Sequence, residues 1–164
     1  MLRDLVIRRA STTDREAVLR IAAAGMHEFG LVPDFAGLDA ELGRIGEDRV
    51  GVIAELVAVV GNAVCGSVII SANEDRVGKL SGFYVSQAHR GHGIGRALLR
   101  VAVEAARCTG VEQLYLETWG RMNAAVQLYE STGWVRGEDP PISSGADRSY
   151  WLGLDAPTPA PAPP

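Results

Sequence analysis

Apolar and polar positions follow two different periods along this chain, and each change of period marks an element. Leu5 to Ala10 (L-V-I-R-R-A) predicts a first strand. Thr13-Asp14-Arg15-Glu16 has the S/T-x-x-E form of a capping box, and Ala17, Val18, Ile21 and Ala22 follow at helical spacing, so a first helix should end near Gly25. His27 to Asp48 is irregular: Pro33 interrupts it, and only Leu38 to Ile45 has the spacing of a second short helix. Two β-rich runs come next, Val52–Val60 and Ala63–Ser71, with Gly61-Asn62 between them as a hairpin turn. Asn73-Glu74-Asp75 reads as a polar turn leading into a central strand, Gly78–Val85.

Beyond that strand the period lengthens. Ile94, Leu98, Val101, Ala102 and Ala105 form the apolar stripe of a long helix that Gly110 is placed to end. Leu114–Thr118 (L-Y-L-E-T) is the next strand; Asn123 can cap a helix through Ser131, and Gly133 can close it. Trp134–Arg136 and Ser149–Leu154 make a last strand pair around a Pro/Gly/Ser loop from Glu138 to Gly145. The order β-α-α-β-β-β-α-β-α-β-β predicts an α/β fold with a mixed sheet. Its hairpin is antiparallel, and the connection through residues 94–109 is a parallel crossover. The end, A-P-T-P-A-P-A-P-P, is proline-rich low complexity and is expected to be a disordered tail over 155–164.

Composition narrows the class. With 164 residues, 47% hydrophobic and 22% charged, the chain is expected to fold as one soluble domain. A formal charge of −4 gives it no general attraction for nucleic acid or anionic lipid, so neither is expected as a partner. Cys65 and Cys108 match no metal spacing and no disulfide framework, which points to reduced thiols, no metal and a cytoplasmic setting. No apolar run reaches the length of a membrane span, and residues 1–10 do not read as a signal peptide. The oligomeric state stays open, a homodimer included.

The chemistry concentrates between the central strand and the long helix. There Arg90-Gly91-His92-Gly93-Ile94-Gly95-Arg96 turns strand into helix start, presenting backbone N–H groups and the positive end of the helix dipole to one point. That arrangement suits a phosphate or diphosphate. A Walker loop is absent, and G-x-G-x-x-G/A fails because the last slot falls on Arg96 or Leu98. What fits is R-x-x-G-x-G, on Arg90, Gly93 and Gly95. A second string, M-N-A-A-V-Q-L-Y-E-S-T-G-W at 122–134, is similar to N-x-x-A-x-x-L-Y-x-x-x-G-[FW], with Ala125, Leu128, Tyr129, Gly133 and Trp134 in register and Met122 in the asparagine slot.

On these two motifs and the element order, the chain resembles the GNAT superfamily of N-acetyltransferases over essentially residues 3–154. The resemblance implies a single GNAT domain at 1–154 with the acyl-CoA N-acyltransferase fold: a mostly antiparallel central sheet with one parallel crossover, flanked by helices. It implies acetyl-CoA as co-substrate and a primary amine of a small molecule or peptide as acceptor. The coenzyme would be held by the backbone of Phe83, Tyr84 and Val85 along its pantetheine arm and by Arg90, Gly91, His92, Gly93, Ile94, Gly95 and Arg96 at its diphosphate. An N–H near Val85 would face the oxyanion, and Tyr129 would be the general acid for the leaving thiolate. With Met122 out of pattern, the family's cofactor-contacting asparagine has no counterpart.

The attacking ammonium has a pKa of about 10 and needs a base. Glu117, beside the central strand, is the first candidate, ahead of Glu28, Glu55 and His27. His89 and His92 are read as exposed bystanders. L-E-T-W-G-R-M-N-A-A-V-Q-L-Y and D-F-A-G-L-D-A-E-L are similar to bacterial members, for which amino-acid-like or polyamine-like amines are expected acceptors. Asp34, Asp39, Glu41 and Glu47 would form an acidic rim suited to a cation. Two other readings are a non-catalytic acyl-CoA sensor and a tRNA-acetylating toxin, the latter disfavoured by the acidic balance.

Overall fold

Four strands, β1 (Leu5–Arg9), β2 (Val52–Val60), β3 (Ala63–Ala72) and β4 (Val77–Val85), pair in succession as an antiparallel meander. This arrangement comes from a computed structural model, which describes residues 3–72 and 75–154. The proline-rich tail and most of the Asn73-Glu74-Asp75 turn lie outside the described residues. The sheet continues through β5 (Gln113–Thr118) and β7 (Arg148–Gly153) to β6 (Val135–Arg136), giving seven strands in the order β1-β2-β3-β4-β5-β7-β6. The Gly61-Asn62 hairpin forms where expected, with Val60 opposite Ala63.

The middle strands read as nearly unbroken apolar runs because helices cover both their faces. On one face α3 (Ile94–Arg107), through Leu98 among others, and α4 (Asn123–Ser131) pack over Leu80, Leu114, Leu116 and Tyr150. On the other, α1 (Arg15–Glu28) and the single turn α2 (Ala40–Gly43) pack over Val57 and Ile69 with Val18, Met26, Leu42 and Ile45.

Several local expectations shift. Entry into α1 is a 3-10 turn, Thr12–Asp14, whose capping box starts at Ser11, two residues upstream of the expected one; Asp14 receives the Ser11 N–H at 2.8 Å and both Arg8 nitrogens at 2.8 and 2.9 Å. α1 runs past Gly25 to Glu28, because Gly25 serves packing and not termination: a Cβ there would lie 2.9 Å from the Tyr84 ring. α2 covers only part of Leu38–Ile45, since the preceding loop folds back so that a Cβ on Gly43 would meet the Phe35 carbonyl. Asn123 opens α4 and does not cap it. Met122 holds the cap position, its carbonyl taking the Val126 N–H at 3.0 Å.

Two irregularities make the functional cleft. The sheet's single parallel pair, β4 with β5, joins Val77–Lys79 to Gln113–Tyr115 and then stops, so the strands part above Lys79. Meanwhile β4 carries one extra residue against β3, between Ser67↔Tyr84 and Ile69↔Ser81. Gly82 occupies that bulge at φ +59°, and its carbonyl accepts the Ser67 hydroxyl at 2.7 Å.

Candidate active site

The fork between β4 and β5 frees one edge of β4. The Ser86 N–H donates to Cys65 on β3 at 2.8 Å. By strand alternation, the N–H and C=O groups of Phe83 and Val85 therefore turn the other way, into the fork. Such an edge can accept an extended ligand as though it were another strand.

Above the fork lies a cleft of about 610 Å³, walled by Phe83, Tyr84 and Val85, by the loop at Arg90–Arg96, and by the Ala125/Leu128 side of α4. The loop leaves β4 through a 3-10 turn, Gln87–His89, and reaches α3 through Gly91 at φ +81° and Gly93 at φ +78°, both in the left-handed region that glycine adopts without strain. Among the described residues, the first amide of α3 to find a carbonyl is that of Ala97, bonded to Gly93 at 3.0 Å. The amides before it remain free at the positive end of a fourteen-residue helix.

Electrostatics agree with that geometry. Arg90 and Arg96 line the cleft, and none of its lining residues is acidic. Arg90 is fixed by donating to the Val85 carbonyl (3.2 Å) and by pairing with Glu28 (2.8 Å), while Arg96 donates to Ser131 (3.3 Å). An arginine-bearing mouth at a helix N-terminus, with no carboxylate among the residues that line the cleft, can hold a diphosphate.

A second pocket opens on the far side of the fork. It shares Phe83, Tyr84, Met122 and Ala125 with the first and adds Asp39, Lys79, Glu117, Trp119, Tyr129 and the Ser144–Ala146 loop. Tyr129 is 5% exposed, its ring set among Phe83, Trp134 and Tyr150 at centroid distances of 6.1, 5.8 and 5.8 Å. Burial pushes its hydroxyl pKa above the ordinary tyrosine value, so the group stays protonated. Tyr84 is pushed the same way by burial and by the charge of Asp39.

Glu117 lies on the opposite sheet face from Tyr129, since Leu114 and Leu116 of β5 point into the α3/α4 core and Tyr115 and Glu117 alternate with them. Its Oε1 accepts the Tyr115 hydroxyl at 2.8 Å, and Oε2 stands 4.0 Å from Lys79 Nζ. Acid and base candidates thus flank one opening from the two sides of a split sheet.

The expected coenzyme residues gather in the first cleft with one exception: His92 is exposed and lines neither cavity. The other base candidates lie elsewhere. Glu28 is engaged by Arg90; Glu55 is buried under β2, accepting from Gly46 and Arg49; His27 is exposed and outside both pockets. Of the acidic rim, Glu47 is held by Arg15 and Arg44, Glu41 accepts from Arg49 and Ser71, and Asp39 lines the second pocket. Sequence reading passed over Lys79, Met122 as a pocket wall, and Ser144. No motif marks them, and only the fork brings them together.

The sequence profile of the Acetyltransferase (GNAT) family matches residues 25–134. The uncharacterized N-acetyltransferase YjgM of Escherichia coli K12 is 30% identical over 134 residues, which is 78% of this chain and 80% of that protein. Among solved structures, a GNAT-family acetyltransferase from Staphylococcus aureus Mu50 has the same fold at TM-score 0.81, with 18% identity over 92% of this chain and 99% of its own. The Salmonella typhimurium protein yncA, solved with its cofactor acetyl-CoA, aligns at TM-score 0.73 and 21% identity over 96% and 98% of the two chains. Forked sheet, bulged β4, glycine loop and sequence profile agree, and the chain belongs to the GNAT family of N-acetyltransferases.

Proposed function

We propose that this chain takes acetyl-CoA as acyl donor and acetylates the primary amine of a small molecule, amino-acid-like or polyamine-like, or of a peptide. The observation that carries this reading is the meeting of the two cavities at Phe83, Tyr84, Met122 and Ala125. It gives a donor and an acceptor entering from opposite sides a common point of contact.

The residues present fit the donor. Free amides from Gly91 to Arg96, with Arg90 and Arg96, would hold its diphosphate, and the fork-facing backbone of Phe83 would bond its pantetheine arm, the Val85 carbonyl being taken by Arg90. Acetyl-CoA supplies an activated thioester when bound. The chain's own groups handle protons: Glu117 takes one from the incoming ammonium, directly or through a water, and the Tyr129 hydroxyl, held protonated, is the donor for the departing sulfur. The Val85 N–H is the donor on the oxyanion side. The free thiols Cys65 and Cys108 fit a reducing, cytoplasmic setting.

The test is thiol release from acetyl-CoA across a panel of amines, amino acids and peptides. Amine-dependent release that depends on Glu117 and Tyr129 is expected. Tight acetyl-CoA binding with no release for any amine would overturn the reading.

A further inference from the structure

We infer that the acceptor is a small amine that also carries a carboxylate, a free amino acid, and that Lys79 is the residue that reads the carboxylate. This rests on the acetyl-transfer reading above and names its substrate class. Lys79 is the one cation lining the acceptor pocket among the described residues, in a lining that also holds Asp39 and Glu117. It sits at the base of the fork, in the last paired step between β4 and β5 (Lys79↔Tyr115), so its backbone is fixed where the strands part.

The ammonium of Lys79 is underused. Its single charged neighbour is Glu117 Oε2 at 4.0 Å, beyond hydrogen-bond reach, and Glu117 spends its other oxygen on Tyr115 at 2.8 Å. Lys79 therefore keeps donors for a ligand. Across the pocket, the Ser144–Ala146 loop closes the same cavity. A carboxylate would take up the free donors of Lys79.

The charge pattern decides between the acceptor classes. An amino acid brings an ammonium for the Asp39/Glu117 side and a carboxylate for Lys79. A polyamine would bring a second cation against Lys79. The cavity, about 280 Å³, lies at the small end of ligand sites, typically ~300–1,000 Å³, which favours a free small molecule over a long peptide.

The experiment compares kcat/KM for the common L-amino acids with that for their methyl esters and decarboxylated amines, in the wild type and in Lys79→Gln and Lys79→Arg. Calorimetry of the N-acetyl amino acid and its ester runs in parallel. The free acid should be preferred about ten-fold or more, the loss expected when a charged hydrogen bond is removed. That preference should vanish in Lys79→Gln and return in Lys79→Arg, and product binding should follow the same pattern. Esters or polyamines acetylated as well as the acids, or an acid preference untouched by Lys79→Gln, would overturn the assignment while leaving acetyl transfer standing. A protein that acetylates nothing and binds no N-acetyl amino acid would sink both readings together.

Discussion

Tyr115 and Glu117 stand two residues apart on one face of β5, and the tyrosine hydroxyl donates to Glu117 Oε1 at 2.8 Å. Burial, then the bond to the carboxylate, pushes Tyr115 up to about 12, so it remains a donor at every working pH. The bond fixes Glu117 Oε1 and leaves Oε2 on the side of Lys79, 4.0 Å away.

Tyr115→Phe is therefore expected to free the Glu117 carboxylate and to lower kcat/KM by about 2- to 10-fold, the equivalent of a net hydrogen bond of ~0.5–1.5 kcal/mol. Phenylalanine keeps the ring that packs 4.7 Å from Trp151, so the fold should be unaffected. An unchanged kcat/KM would mean that the Tyr115 bond does not position Glu117 for the reaction.

Tyr129→Phe separates chemistry from stability. The Tyr129 hydroxyl has no hydrogen-bond partner among the described residues, while its ring packs against Phe83, Trp134 and Tyr150. Loss of the hydroxyl should leave the melting temperature nearly unchanged and lower kcat by ~10²-fold or more, the usual contribution of a positioned general acid. Because Tyr129 is held above its ordinary value, no basic limb below about pH 10 should disappear with it. Full turnover in this variant would remove Tyr129 from the mechanism.

The sequence was most legible where one local rule decided the outcome. Gly61-Asn62 sits between two apolar runs, and nothing in the tertiary structure competes with that hairpin. The glycine loop was legible for the same reason: Gly91 and Gly93 need positive φ, and a Cβ at either would meet no neighbour. Legibility failed where a distant contact overrode the local signal. Gly25 looks like a helix end but is the floor beneath the Tyr84 ring, and Asp14 outcompetes Thr13 at the helix start because Arg8, on β1, already holds it. The fork is the clearest case. No residue type in L-Y-L-E-T announces that pairing with β4 stops at Tyr115, yet that break brings Lys79, Glu117 and Tyr129 to one opening.

Asp14 gives a pH prediction with a definite sign. Hydrogen bonds from Arg8, followed by the Ser11 N–H, hold its carboxyl below the usual aspartate value. A depressed folded pKa contributes stability above the unfolded value, near 3.9, and loses it as pH falls through the folded one. Arg8 is 43% exposed, so the ~1.5–3 kcal/mol of charged hydrogen bonds is discounted to about 1 kcal/mol. Asp14→Asn should therefore cost about 1 kcal/mol by urea denaturation at pH 7. The gap to wild type should close below about pH 4; a gap that persisted there would assign the loss to packing.

Gly95→Ala should act with opposite signs on folding and on the coenzyme. Gly95 lies in the first turn of α3 with ordinary helical φ, and a Cβ there would meet Leu128, Phe83 and Val85 at 3.5, 3.5 and 3.7 Å, which is normal van der Waals contact. Alanine therefore fits without strain and should stabilise the helix by ~0.5–1 kcal/mol, raising the melting temperature by a few degrees. The same methyl stands on the cleft wall between α3 and α4, where the pantetheine arm is expected to pass. Acetyl-CoA should then bind several-fold more weakly by calorimetry, while the protein alone melts later. Equal affinity in the stabilised variant would mean that the arm runs along another wall, and the fork-facing amides of Phe83 and Val85 would lose their assigned ligand.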